Sequence, residues 1–416
     1  MATLKIINAN ISTPLGSQAR KGEEMGKLLN IPDGCIIIED GIIRFAGWAK
    51  DAPETPDDVE IVDAGARAVL PGFVDSHTHL IFGGFRPDEF EWRLKGDTYM
   101  SIMQRGGGIQ STVNATKQTS TEHLVSKAQW FIDRMVEMGV TTVEAKSGYG
   151  LDTDTELKML DAISRLQSEP DQKLRIISTF LGAHAVPKEY AGRTGEYVDM
   201  MIEEMIPRAR GKAKFFDIFT EKGVFEIEDS RRLLQAAREA GFELKLHADE
   251  IVQLGGAELA AEMGAVSADH LLHISDKGIR KLAESGTVAT LLPLTAFALK
   301  EPYAPARKLI DNGAAVALAT DLNPGSCFSG SIPLTIALAC IYMNMTVDET
   351  ITALTLNGAA ALGIAEQTGS IEEGKEADII ILDFDNYKAL PYYVGMNCVN
   401  TVISNGKTVY KRESLN

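Results

Sequence analysis

Cysteine is scarce in this chain. Among 416 residues there are four, Cys35, Cys327, Cys340 and Cys398, and no two stand in CxxC spacing. That argues against a disulfide framework and fits reduced thiols in a cytoplasmic protein. Long apolar runs are missing as well, since none reaches the roughly 18 residues that a membrane span needs. The opening MATLKIINANIS has neither an apolar signal-peptide core nor a small-residue cleavage pattern, so residence in the cytoplasm is expected. Positive charge is in deficit: 41 Lys and Arg face 58 Asp and Glu, a net charge of −17. Nucleic acid is therefore an unsuitable partner, because its phosphates demand clustered cations. A phosphate loop is also absent. The closest stretch, GSIEEGKE at 369–376, lacks the Ser or Thr that would hold Mg²⁺ and precedes a strand pattern where a helix is required. The glycine triplet Gly106–Gly108 reads as a loop.

What is present is apolar bulk and an ordered alternation. Hydrophobic residues make up 45% of the chain, enough for a large core. The length fits two average domains, or one barrel that takes most of the chain. Residues 1–66 are β-like: LKIINANI and GCIIIEDGIIRFAG carry β-branched runs broken by Asp-Gly. The other end matches them, with EADIIILDFD and with VNTVISNGKTVY, whose Asn-Gly is a strong hairpin signal. Residues 1–66 and 367–416 are thus expected to build one small β-sandwich domain, with 67–366 inserted between them.

The inserted region alternates strands with helices. Eight strand candidates follow in order: AVLPGFVDSH, TTVEAKS, RIISTFLGAH, FFDIFT, ELKLHAD, SADHL, TVATLLP and AVALATD. Between them lie helical patterns such as TEHLVSKAQWFIDRMVEMG and IEDSRRLLQAAREAG, the latter with Leu233, Leu234, Ala237 and Ala240 near one face and Gly241 as a stop. This pattern predicts a (β/α)₈ barrel. An open doubly wound sheet would want a glycine-rich turn after its first strand, and that strand runs into DSHTH instead.

In such a barrel, chemistry collects where the strands end. The first candidate ends in His77 with His79 beyond, the third in His184, the fifth in His247 with Glu250 just after, the sixth in His270 and the eighth in Asp321. Of the seven histidines only His123 and His273 fall elsewhere. Residues i and i+2 of a strand point to the same side, so His77 and His79 can grip one metal ion together. Imidazole and a carboxylate such as Asp321 form a suitable ligand set. DLNPGS after Asp321 would also suit a helix cap.

The stretches PGFVDSHTHL, KLHADE, ADH and ATDLNPGS, with GSIEEGKEADIIILD near the end, resemble the amidohydrolase superfamily over nearly the whole chain. FGGFRPDEFEWRLKGDTYMSIMQRGGGIQSTV, EAKSGYGLD, FLGAHAVP and TDLNPGSC narrow the likeness to members that open an imidazolone ring in histidine degradation. The resemblance implies a metal-dependent hydrolase barrel that converts 4-imidazolone-5-propanoate to N-formimidoyl-L-glutamate. It implies His77, His79, His247 and Asp321 as metal ligands, and Arg86, Tyr149, His184, Glu250, Asn323, Gly325 and Ser326 as substrate contacts. It implies no carboxylated lysine, hence one metal ion, zinc or iron.

Within that picture Asp321 takes a proton from the attacking water, His270 stabilises the developing oxyanion, and Glu250 shuttles a proton or holds a ring N–H. Either Asp321 or Glu250 protonates the leaving nitrogen. Arg86 grips the propanoate through paired hydrogen bonds. The partners expected are this small substrate and a second copy of the chain in a homodimer; SGSIPLTIALACIYMNM suits either core or dimer interface. Two other readings remain at this point: an aminohydrolase acting on a neutral heterocycle, which has no use for Arg86, and a scaffold that has lost its chemistry.

Overall fold

A computed structural model describes residues 3–56, 58–97, 101, 105 and 107–412. Gly106, the first residue of the glycine loop, lies outside these; Gly108 precedes the helix Ile109–Gln118.

Two eight-stranded sheets organise the chain. One is parallel throughout and runs in chain order: Phe73–Asp75, Val140–Lys146, Arg175–Ala183, Phe215–Thr220, Glu243–Ala248, Ser267–His270, Val288–Leu291 and Val316–Leu318. Helices follow the strands and cover the outside. Thr121–Glu137 buries Leu124, Ala128, Ile132 and Met135, spaced to line one face of a 3.6-residue helix. Ser120 caps it by accepting from the His123 N–H. Ile227–Glu239 buries Leu233, Leu234 and Ala237, and Gly241 at φ 95° ends it. Ala240 of the expected face is the C-cap and is only half-buried. Strands enclosed on both sides should read as near-continuous apolar runs. Val140–Lys146 is buried at every position, yet it carries Glu144 and Lys146.

The other sheet is mixed and draws on both ends of the chain. Its order places Lys407–Lys411, Val399–Ser404, Ile379–Leu382, Ala68–Pro71, Thr3–Thr13, Leu29–Glu39 and Ile42–Trp48 side by side, with Glu60–Asp63 also on Thr3–Thr13. The two hairpin dipeptides do as their chemistry suggests. Asp40–Gly41 and Asn405–Gly406 all have positive φ, as a two-residue type I′ turn requires.

One strand differs from expectation. AVLPGFVDSH is split between the sheets: Ala68–Pro71 pairs with Thr3–Thr13 and Ile379–Leu382, and only Phe73–Asp75 enters the barrel. Pro71 still pairs with Ile379 and the Gly72 N–H bonds to the Asp378 carbonyl at 2.8 Å, whereas the Phe73 N–H bonds to the Gly139 carbonyl at 2.9 Å, so the chain changes sheets between Gly72 and Phe73. Lys375 of the GSIEEGKE stretch donates to the carbonyls of Gly16 and Ala365, a structural use. Helix Ile332–Tyr342 belongs to the core through Ile332, Ile336 and Ala339, while Ile341 and Tyr342 are exposed. Among the described residues no helix is long and apolar enough to cross a membrane.

Candidate active site

The barrel closes at the residues that carry its chemistry. Between the first and eighth strands the seam is made just past both strand ends. The Asp321 N–H donates to the His77 carbonyl at 3.0 Å, and the His79 N–H to the Leu322 carbonyl at 2.9 Å. Below them Asp75 accepts from both the N–H and the hydroxyl of Thr320, at 2.9 and 2.6 Å. On the other side the Lys146 N–H donates to the Thr78 carbonyl at 3.1 Å. The segment His77–His79 is thus held on both edges, and its two imidazoles enter the barrel mouth together.

There they meet His247 and Asp321. All four side chains are buried. His79 Nε2 and His247 Nε2 are 3.3 Å apart, and Asp321 Oδ1 lies 3.5 Å from His79 Nε2 and 3.6 Å from His77 Nε2. Among the described residues His77 Nε2 and Asp321 Oδ1 have no hydrogen-bond partner. Burial, reinforced by the neighbouring cations and imidazoles, pushes His77 and His79 well below the ordinary histidine range, so both rings are neutral. Burial also works against an imidazolium at His247, but Asp217 beside it outweighs that and raises its pKa. Burial lifts Asp321 to about 6. Converging lone pairs without donors are costly in a buried site unless a cation sits among them. Zinc bonds of about 2.0–2.1 Å in a tetrahedron set donor atoms about 3.3 Å apart, close to the spacing seen here. The residues fit a metal ion.

Beneath this cluster lies a layer of buried charge. The His77 ring bonds through Nδ1 to Asp269 Oδ2 at 2.6 Å, and His247 Nδ1 lies 3.1 Å from Asp217 Oδ2. These contacts put the proton on Nδ1 and leave each Nε2 free as a donor atom. Lys146 Nζ joins Asp217 at 2.7 Å and Glu144 at 2.8 Å; Lys245 Nζ lies 3.0 Å from Glu144 and donates to the Ser76 carbonyl at 2.8 Å. Burial opposes the Lys146 ammonium, yet Asp217, Glu144 and Asp269 hold its pKa above the ordinary range. The seventh strand contributes through Thr295 in the helix after it. Its hydroxyl donates to Asp321 Oδ2 at 2.6 Å, which turns Oδ1 toward the histidines.

The rim is assembled from the loops above. His270 has both ring nitrogens unpartnered among the described residues and stands 3.5 Å from Glu250 Oε2. Burial and the nearby Asp321 push the Glu250 carboxyl up to about 8. Its loop is tied down on both sides. Asp249 accepts from the N–H groups of Leu254, Gly255, Gly256 and Ala257, and Glu221 accepts from Ile251. His184 stacks on His79 with centroids 4.9 Å apart, and its Nδ1 lies 2.9 Å from the Gly148 carbonyl. That bond places the proton on Nδ1 and leaves Nε2 as an acceptor; burial, first among the causes, lowers the pKa to about 3. Tyr149 lies 5.2 Å from His184, and burial holds its phenol above the ordinary range. Arg86 acts electrostatically on both Tyr149 and His184. His270, Leu271, Asp249 and Asp321 all have positive φ, so the strand ends bearing the site are locally strained.

A barrel with this donor set at its mouth has counterparts among known proteins. The model of the amidohydrolase family matches residues 68–409. The chain belongs to the amidohydrolase family. Within it, the chain falls in the imidazolonepropionase group. It is 62% identical over 409 residues to an imidazolonepropionase of Phocaeicola vulgatus, covering 98% of this chain and 99% of that one. It is 61% identical to one of Bacteroides thetaiotaomicron, covering 97% and 98%. Among solved structures, 5-methylcytosine deaminase of Klebsiella pneumoniae superposes with a TM-score of 0.74 at 20% identity, covering 99% of this chain and 98% of the other; at that identity the likeness shows the fold alone.

Every site residue named from the sequence lies at or near this amidohydrolase mouth, but not all are free to touch a ligand. Asn323 spends its amide on its own loop. Its Oδ1 accepts from the N–H groups of Gly325 and Ser326, and its Nδ2 donates to the Asp321 carbonyl and the Ser326 hydroxyl. Asp321 caps no helix; its carboxylate serves the cluster. Sequence reasoning missed Glu144, Lys146, Asp217, Lys245, Asp269 and Thr295. Five of them had a signal: they are charges within strands expected to be buried, where an ion is tolerated only with a partner. Lys245 even shares the i, i+2 relation with His247 that singled out His77 and His79. Thr295 had no signal in the chain.

Proposed function

We propose that this chain hydrolyses the ring amide of 4-imidazolone-5-propanoate to N-formimidoyl-L-glutamate in histidine degradation, using one divalent metal ion, zinc or iron. The observation that carries the reaction is near-full-length identity of 53–62% to imidazolonepropionases, with a convergent His and Asp cluster at the barrel mouth. His77, His79, His247 and Asp321 hold the ion. Charge supports a divalent species. Glu144, Asp217 and Asp269 in the layer below and Asp321 in the cluster are countered by Lys146 and Lys245, which leaves two negative charges beside the neutral His77 and His79. When bound, such an ion lowers the pKa of a coordinated water toward about 7 and so supplies the nucleophile.

The residues of the chain do the rest. Asp321, with Thr295 on one oxygen, accepts the proton that the attacking water gives up. His270, neutral because burial lowers its pKa, donates an N–H to the oxyanion that develops on the ring carbonyl. The ring C–N bond then breaks and the nitrogen takes a proton. Both Asp321 and Glu250 are within the site; Glu250, lifted to about 8, carries its proton at neutral pH. His184 Nε2 accepts from a ring N–H, and the protonated Tyr149 hydroxyl donates. Arg86 pairs with the propanoate. The enzyme is proposed to be cytoplasmic and a homodimer; light scattering on the purified protein tests the dimer. The reaction itself is tested by mixing the protein with freshly prepared 4-imidazolone-5-propanoate. N-formimidoyl-L-glutamate is the expected product; release of ammonia from the ring in its place supports the aminohydrolase reading.

A further inference from the structure

Gly325 is a glycine without a backbone reason. It is not among the glycines with positive φ, so any residue can adopt its conformation. What excludes a side chain is Arg86. A β-carbon on Gly325 would overlap Arg86 Nη2 and lie 2.9 Å from Cζ, so the guanidinium rests directly on this residue.

The peptide beneath it is fixed from both sides. The Gly325 N–H donates to Asn323 Oδ1 at 2.8 Å, and its carbonyl accepts from Arg93 Nη2 at 2.9 Å. Arg93 in turn lies beside the ring pair of Phe90 and Phe328, 5.9 Å from each centroid, and those rings pack edge-to-face 5.4 Å apart. Arg86 is held lightly by comparison. Its Nη1 lies 3.4 Å from Glu89 Oε2, a long contact for a charged pair, and its buried Nε has no partner among the described residues. The guanidinium therefore keeps donors to offer, and its position is set mainly by the surface it rests on.

We propose that Gly325 and Arg93 are positioning residues that seat the Arg86 guanidinium for the substrate's carboxylate arm. The inference rests on the reading of Arg86 as the carboxylate grip. It gives Gly325 a role through Arg86, and it gives Arg93 a role that no motif suggested. Adding a methyl group at 325 displaces the end of a flexible side chain while the pinned loop stays, so Gly325→Ala removes the grip without disturbing the metal ligands.

The test is a set of kinetic cycles on imidazolonepropanoate and on an imidazolone lacking the propanoate. Arg86→Met should lower kcat/KM for the full substrate about 10- to 100-fold, the range of a charge-assisted hydrogen bond. Gly325→Ala and Arg93→Met should each raise KM more than they lower kcat, keep full metal content and melting temperature, and lose far less on the armless substrate. In combination with Arg86→Met, neither should add a further loss, because both act through a group already removed. Losses that multiply in the double variants, or that are equal on both substrates, overturn the seat while leaving Arg86 as the grip. No loss from Arg86→Met on the full substrate overturns the grip itself, and the seat with it.

Discussion

The floor and the rim of this site are built by opposite means. The floor is made of strand residues. Glu144, Lys146, Asp217, Lys245 and Asp269 are fully buried and joined by contacts of 2.6–3.0 Å to one another or to His77. The rim is made of loops. Arg86, His184, Glu250, Gly325 and Ser326 are partly exposed and sit where the chain leaves regular structure. The difference teaches how work is divided. A layer of paired charges in a low-dielectric interior fixes the tautomers and directions of the imidazoles that are proposed to hold the metal. Residues that choose the substrate belong where side chains can exchange partners as it enters and leaves.

If that division holds, damage to the floor should show in folding and metal affinity, and damage to the rim in kinetics. The largest effect is expected at Lys146. Lys146→Met removes the cation shared by Asp217 and Glu144, leaves them only His247 and Lys245 as charged neighbours, and should cost about 3–5 kcal/mol of stability, read from denaturant unfolding. Adding Glu144→Gln should restore part of the loss. No change in the single variant would mean the layer is not held as ions. Next is His270→Ala, at a buried strand end beside the reacting atoms: kcat should fall about 10²–10³-fold, as for loss of one oxyanion donor, with metal content kept. An unchanged kcat removes His270 from the chemistry. Asp269→Asn should weaken metal binding by about 10- to 100-fold, measured by competition with a chelator, with little effect on turnover once the metal is saturating. Equal loss of turnover at saturation would place Asp269 in the reaction. The smallest effect is expected at Tyr149. Tyr149→Phe removes one hydrogen bond of about 0.5–1.5 kcal/mol, a change in kcat/KM of about two- to tenfold with stability unaltered.

The same division decides what the sequence made legible. Strand ends were readable because His77, His79, His247, His270 and Asp321 close apolar runs in chain order, and a barrel brings such ends together. The hairpins were readable because Asp-Gly and Asn-Gly favour one kind of turn. The split of AVLPGFVDSH was hidden, since apolar strand residues suit a sheet and a barrel equally and only Pro71 and Gly72 marked the change. The floor was readable in part: single buried charges announce that partners exist, but not which strand supplies them. The seat of Arg86 was not readable. It joins residues 86, 93 and 325, and nothing local at Gly325 tells a glycine required by a neighbour's side chain from one required by its own backbone.

In the proposed reaction one ion held by His77, His79, His247 and Asp321 drives opening of the imidazolone ring. This is tested most directly by stripping the protein of metal and titrating zinc or ferrous ion back, while following N-formimidoyl-L-glutamate from 4-imidazolone-5-propanoate. Product formation should be absent at the start, rise in proportion to metal, and stop rising at one ion per chain; the His79→Ala protein, folded by circular dichroism, should neither retain the ion nor gain activity. Full turnover by metal-free protein, or by His79→Ala, would contradict it.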